Sequence, residues 1–411
     1  MKKLICGNAV VGQSGGPTCA INATLAGVIR GARQHPGHIR TLYGMRNGIE
    51  GLMREELVTL TGKYDAEEQL ALLGQTPAAA LGSCRKKLPD PAEDPGFYER
   101  MLGIFRKYDI RYFFYIGGND SMDTVAKLSA YLREHDYDMA VLGLPKTIDN
   151  DLAGTDHTPG FGSAAKYIAV TMQEILLDCA VYRVPAVTVV ELMGRDAGWL
   201  TAASALGRGV TGLEPDLVYL PERRFDPARF LADVRGALAR HPNVVVAVSE
   251  GLRFADGRYV GQGCQSGAKD VFGHSYLAGT GKVLEQTVRQ EIGCKVRSVE
   301  LNLPQRCAAH LASAADLAEA EGVGRAGVSA AASGVSGEMM TILRTGSSPY
   351  RVEFGHTDVA AVANRIRYVD DAYINAEGNH VTDACCAYLL PLIQGEPAVT
   401  YANGLPEYMV L

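Results

Sequence analysis

The chain is 411 residues long, 47% of them apolar, and 40 basic against 46 acidic residues leave a net charge of −6. That length suggests two or three domains of ~100–200 residues each. The mild acidity, with no long run of one sign, argues against nucleic acid or an anionic membrane as partner, and no stretch nears the ~18 apolar residues of a membrane-crossing helix.

The start, Met1-Lys2-Lys3-Leu4-Ile5-Cys6-Gly7, is basic like that of a signal peptide, but the Gly-rich segment after it and the short apolar region favour a first β-strand. Residues 8–11 lead into Gly12-Gln13-Ser14-Gly15-Gly16-Pro17, and a helix follows with Ile21, Leu25, Val28 and Ile29 on one face. Residues 109–116 form the next clear strand, 121–134 a helix with Met122, Val125, Leu128 and Leu132 inward, and 139–143 a short apolar strand. Residues 166–180 read as helix, 186–192 as a β-branched strand, and 221–242 as a polar connector with one amphipathic helix. Residues 243–249 (Asn-Val-Val-Val-Ala-Val-Ser) have the unbroken apolar character of a buried parallel strand. The last 50 residues carry several Gly and Pro and no decided pattern. Strands alternating with helices predict βαβ units and a doubly wound α/β fold, and the motifs fall into two groups, so two sheets are expected. The nine cysteines are odd in number without a Cys-x-x-Cys pair, and the nine histidines show no zinc spacing, so reduced thiols and no zinc are expected.

The chemistry-bearing residues lie just past the strand ends, where open α/β sheets bind ligands. Gly117-Gly118-Asn119-Asp120-Ser121 follows one strand, and Lys146-Thr147-Ile148-Asp149-Asn150-Asp151 another. Glycines, acids and a lysine are the parts a phosphoryl-transfer site needs. The first segment also suits a plain helix cap. The second is an Asx-rich turn that is costly to dehydrate unless used, and one of its aspartates suits a base accepting a hydroxyl proton. Gln13–Pro17 is either a phosphate cradle or a tight turn capped by Ser14. Leu81-Gly82-Ser83-Cys84-Arg85-Lys86-Lys87 is a solvated loop unless Arg85 faces that turn. Met193-Gly194-Arg195 ends a strand and offers a phosphate site, Glu250 can bond sugar hydroxyls, and Arg297 and Arg306 flank a further strand-like run where either can equally be a surface ion-pair member.

In this order the set resembles the phosphofructokinases over roughly residues 5–345. The resemblance implies Mg²⁺-dependent phosphorylation of the 1-hydroxyl of fructose 6-phosphate, in a cleft between two Rossmann-like doubly wound domains of a cytoplasmic homodimer or homotetramer. Residues 1–155, completed near 305–355, are expected to hold the phosphoryl donor; residues 156–304, completed by 356–411, the sugar phosphate. Members that use ATP usually carry glycine where Asp120 and Lys146 stand, so the resemblance is to the pyrophosphate-dependent branch. A carboxylate at Asp120 opposes the α-phosphate of ATP, and Lys146 adds a charge beside a compact donor. At ~4 Å and an effective dielectric near 20, that pairing of Lys146 with the donor is on the order of 4 kcal/mol before desolvation, and Asp120 is expected in contact with Lys146 as its counter-charge.

By the same resemblance Asp149 is the base, acting with Lys146 and Asp120. Thr147, Ile148, Met193, Gly194, Arg195, Glu250, Arg297 and Arg306 hold fructose 6-phosphate, and Gly15, Gly16, Arg85 and Lys146 hold pyrophosphate. Asn119 and Asp120 take the metal. Asn119 stands where many relatives carry an aspartate, with Asp120 or Asp151 able to compensate; Leu303 and Arg183 also depart from the family pattern. An ATP-dependent phosphofructokinase and a non-catalytic sugar-phosphate-binding subunit are the competing readings. A nicotinamide-dependent dehydrogenase is set aside, because the Gly12–Gly16 turn lacks the Gly-x-Gly-x-x-Gly spacing.

Overall fold

Runs of branched and aromatic residues without polar alternation become central strands covered on both faces. The computed structural model, which describes residues 5–64, 66–264 and 279–409, gathers them into two main sheets. In chain order the strands are β1 (Gly7–Gln13), β2 (Ile39–Met45), β3 (Leu57–Thr59), β4 (Ile110–Gly117), β5 (Ala140–Pro145), β6 (Ala186–Leu192), β7 (Leu217–Tyr219), β8 (Arg224–Phe225), β9 (Asn243–Ser249), β10 (Arg253–Phe254), β11 (Lys295–Glu300), β12 (Glu338–Ser347) and β13 (Tyr350–Asp358). The first sheet runs β13-β12-β5-β4-β1-β2-β3 and is parallel except for its edge strands β13 and β3. The second, β11-β6-β9-β7, is wholly parallel. β8 and β10 form a short separate pair.

The two-residue period of a strand sends Val10, Phe113 and Tyr115 into one core, with Met122 and Val125 of the helix Asn119–Glu134, and Val11, Tyr112 and Phe114 into another on the opposite face. A further core joins Val190, Leu192 and Val245 of the second sheet to the helix Phe161–Ala180 and to Trp199. Val369, Ile374, Val381, Cys385, Leu389 and Leu392 complete that core from the C-terminal segment, which the sequence left unread.

The helix expected at 121–134 begins two residues earlier, at Asn119 after Gly118, and the one expected at 166–180 begins at Phe161. The connector helix is Pro227–Arg240, capped by the Asp226 carboxylate accepting from the amides of Ala228 and Arg229. The eight described cysteines are all free; the Cys264 side chain and the basic start at residues 1–4 lie outside the described residues. Among the described residues no helix is long and apolar enough to cross a membrane.

Candidate active site

The carboxyl ends of β1, β4 and β5 in one sheet and of β6 and β9 in the other open on a single cavity of ≈ 460 Å³. Its lining includes Gly15, Gly16, Arg85, Asn119, Asp120, Lys146, Thr147, Ile148, Asp149, Asp151, Met193, Arg195, Glu250 and Arg306. Two expected site residues are missing from it. Gly194 shapes the turn: its φ is +127°, its N–H donates to Glu250 Oε1 at 3.2 Å, and a Cβ there would lie 2.6 Å from the Ala197 carbonyl. Arg297 is not among the lining residues of this chain's cavity. It sits mid-strand in β11, in register with Thr188, four residues before the end of β6 at Leu192, and lines a separate hollow with Cys179 and Tyr182. At ~3.3 Å per residue it starts ~13 Å short of the strand ends where the cavity opens.

On the donor side the glycine turn is packed against the Arg85 loop. Gly15 N–H donates to the Cys84 carbonyl at 3.0 Å, and Ser83 Oγ donates to the Gly15 carbonyl at 2.7 Å. The Gly15 amide is therefore engaged, and the turn serves by close approach. At the entry to the helix Ile21–Gln34 it is Thr18 Oγ1, not Ser14, that accepts from the amides of Ala20 and Ile21; Ser14 Oγ lies 2.5 Å from Ser121 Oγ. A Cβ on Gly15 would meet Lys146 Nζ at 3.4 Å, and one on Gly16 would meet Arg306 Nη1 at 3.3 Å and Arg85 Nη2 at 4.0 Å. Lys146 is 3% exposed and donates from Nζ to the Gly16 carbonyl at 2.6 Å. Burial pulls its ammonium down to about 8; Asp149 opposes this, and the Arg85 and Arg306 charges lower it further. Three cations crowding one glycine turn form a site for a compact anion.

Asp120 does not pair with Lys146. Its carboxylate meets Lys87 Nζ at 2.9 Å, while Lys146 turns inward to Gly16. The Lys87 and Asp120 side chains are 48% and 34% exposed, which makes the pair worth ~0–1 kcal/mol. Asn119, read as a metal ligand, is tied to the C-terminal segment. Its Oδ1 accepts from the Asn364 N–H at 2.5 Å and its Nδ2 donates to the Arg365 carbonyl at 2.6 Å, so the amide is committed to backbone.

The loop after β5 carries the acids. Asp149 N–H donates to Thr147 Oγ1 at 3.1 Å, and Asn150, at φ +53°, accepts the Thr158 amide on Oδ1. Burial raises the Asp149 carboxyl above its ordinary value, against the Arg195 and Lys146 charges. Asp151 is pushed up to about 7 by burial and by Asp149, and Glu250 to about 8 by burial, with Asp149 adding to it against the hydrogen bond from Gly194. Arg195 also lines the cavity, and its buried Nε–H has no protein acceptor. Among the described residues no three acids, histidines or cysteines form a metal cage. Mg²⁺ needs none: it is commonly held by one or two carboxylates together with substrate phosphates.

Some lining residues escaped sequence reasoning. Asp196 directly follows Arg195 and was findable as an acid beside that motif. Asn364 and Ile366 reach the cavity from the C-terminal segment, with no local signal to announce them.

Comparison with known proteins bears on the same residues. The family described as Phosphofructokinase matches residues 8–331. The chain is 44% identical over 406 residues to the pyrophosphate–fructose 6-phosphate 1-phosphotransferase of Methylococcus capsulatus, covering 98% of this chain and 96% of that one. It is 43% identical over 408 residues to the protein of that name from Xanthomonas campestris pv. campestris, covering 98% and 96%. A crystal structure of the pyrophosphate-dependent phosphofructokinase of Nitrosospira multiformis superposes with a TM-score of 0.89 at 37% identity, over 98% of this chain and 96% of that one.

Proposed function

The chain belongs to the phosphofructokinase family, and from that premise we propose how its cavity works. The protein is a pyrophosphate-dependent phosphofructokinase: it transfers a phosphoryl group from pyrophosphate to the 1-hydroxyl of fructose 6-phosphate, reversibly, giving fructose 1,6-bisphosphate and phosphate. The observation that carries the donor assignment is the buried Lys146 ammonium, grouped with Arg85 and Arg306 around Gly15–Gly16 at the root of the loop that bears Asp149.

In our reading Asp149 accepts the proton of the sugar hydroxyl as its oxygen attacks the nearer phosphorus. The bond to the bridging oxygen of pyrophosphate breaks, and phosphate leaves. A carboxyl raised by burial is a stronger base than one in water. Lys146 and Arg85 hold the donor and stabilise the charge gathering on the departing phosphate. Arg195, with its unmatched buried donor, grips the 6-phosphate, and Glu250 and Met193 close that side. Arg306 borders both substrates, since it lies beside Gly16 as well. Asp120 and Asp151 are the residues that would hold Mg²⁺ entering with pyrophosphate; the Asp151 carboxyl, raised by burial and then by the Asp149 charge, is a donor that a cation relieves. When bound, the ion neutralises phosphate charge.

We also propose the two-domain division, residues 1–155 with about 305–355 and residues 156–304 with 356–411, with the site in the cleft between them. It is supported by β12 and β13 lying in the first sheet and by the C-terminal segment packing on the second. A cytoplasmic homo-oligomer is the companion expectation. Purified protein with fructose 6-phosphate, Mg²⁺ and either pyrophosphate or ATP tests the donor: turnover with pyrophosphate is expected, and preference for ATP would refute it.

A further inference from the structure

Residues 364–367 cross the cavity wall as a strap tied at several points. Behind it Val359 and Val362 sit in the core with Met122 and Val125; ahead of it Val369 sits in the core with Trp199. In between, Asn119 takes the Asn364 N–H and gives to the Arg365 carbonyl, Arg367 N–H donates to the Asp151 carbonyl at 2.8 Å, and Trp199 Nε1–H donates to the Arg367 carbonyl at 3.0 Å. A carboxamide is the side chain that can accept and donate at once; aspartate would do only the first, and alanine neither. Asn364 is held at φ +60° by these contacts. Ile366, 37% exposed, lines the cavity as an apolar side chain near Asn119 and Asn364 of the strap.

We propose that this strap, clamped by Asn119, limits the length of the phosphoryl donor, making Asn119 and Ile366 specificity-determining residues. The inference rests on the pyrophosphate reading above. A donor seated on Arg85 and Lys146 with its transferable phosphate toward Asp149 has Asn119, Asp120 and the strap along its wall. A third phosphate there meets the Asp120 carboxylate, an Asn119 amide already in use, and an isoleucine side chain. Neither the engaged Asn119 amide nor Ile366 solvates an anion, and the nearby Lys87 ammonium is already paired with Asp120, so along the strap a longer donor loses water without gaining partners there.

The test compares kcat/KM for pyrophosphate and for inorganic tripolyphosphate in wild type, Asn119→Ala and Ile366→Ala, with hydrogen exchange of the strap amides. Asp120 repels the longer donor equally in all three proteins, so changes in the ratio report the strap. Asn119→Ala should speed exchange at Asn364 and raise the tripolyphosphate-to-pyrophosphate ratio about tenfold or more. Ile366→Ala should raise the ratio with exchange close to wild type. An unchanged ratio in both variants overturns the proposal, and so does unchanged exchange in Asn119→Ala, which would mean the amide is no clamp. A wild type active with ATP and inactive with pyrophosphate is a different result: it removes the donor reading itself.

Discussion

Asp149 and Lys146 share one loop but titrate in opposite senses, and each makes its own prediction. Asp149→Asn keeps the shape and cannot take a proton, so kcat should fall ~10²–10⁴-fold with a smaller change in KM; near wild-type turnover would strip Asp149 of the role. Lys146, lowered to about 8, is charged below that pH and neutral above it. The value of kcat/KM for pyrophosphate, which reports the free enzyme, should therefore decline above pH about 8. In Lys146→Arg the guanidinium stays charged, so the alkaline decline should move up in pH even if the rate is lower; a decline at an unchanged pH would assign it to another group. At this scale the sequence was most legible where residue type alone names the chemistry. It could not say which polar atoms were already taken. The Gly15 amide, the Asn119 carboxamide and the Asp120 carboxylate all have protein partners that residue type alone does not reveal.

The loop from Thr147 to Gly160 is positioned from the side away from the cavity. Thr158 Oγ1 donates to the Thr147 carbonyl at 2.9 Å, Asp316 accepts from the Gly160 and Ser163 amides, and His157 lies between Asp156 Oδ1 at 2.8 Å and Glu319 Oε2 at 2.6 Å. Tyr350 OH donates to Glu319 and Arg344 pairs with Asp156, so these charges form one buried set. Burial lowers the His157 imidazolium, but the two carboxylate partners outweigh it and the net shift is upward. A group raised in the folded state stabilises fully below its unfolded value, ~6.5 for histidine, and loses that contribution as pH climbs through the folded value. The melting-temperature gap between wild type and His157→Gln should thus be larger at pH 6 than at pH 9; a constant or growing gap would contradict the assignment. His157 carried no motif. The helix Ala314–Ala332, which supplies Glu319 and Asp316, was also missed. It packs backbone to backbone on the helix Ile21–Gln34: a Cβ on Gly27 would lie 2.1 Å from the Glu321 carbonyl, and one on Gly324 2.2 Å from that of Thr24. Contacts made through glycine and alanine leave no stripe of large apolar residues to read. By contrast β4, β5, β6 and β9 were legible, because buried parallel strands are continuous apolar runs.

The family match ends at residue 331, yet the chain beyond it contributes to the cores beside both main sheets. β12 and β13 extend the first sheet, and the residues after β13 supply six buried side chains to the core of the second as well as the strap on the cavity. Burying a large aliphatic side chain contributes ~1.5–3 kcal/mol, so Val369, Ile374, Val381, Leu389 and Leu392 together are worth on the order of 10 kcal/mol. That is comparable to the ~5–15 kcal/mol by which a whole protein is stable. Ending the chain after residue 358 would also leave the Trp199 indole N–H without the Arg367 carbonyl. The last residues are different. Tyr401 and Leu405 of the terminal two-residue hairpin are 56% and 71% exposed, and Met409 N–H to Thr76 Oγ1 is one bond at the edge. Two truncations separate these cases. A chain ending at residue 399 should stay soluble, melt within a few degrees of the full protein and retain pyrophosphate turnover. A chain ending at residue 358 should give no cooperative melt and no activity. If it instead folded and melted like the full protein, the C-terminal segment would be an appendage rather than part of the core, and the strap across the cavity would have nothing holding its far end.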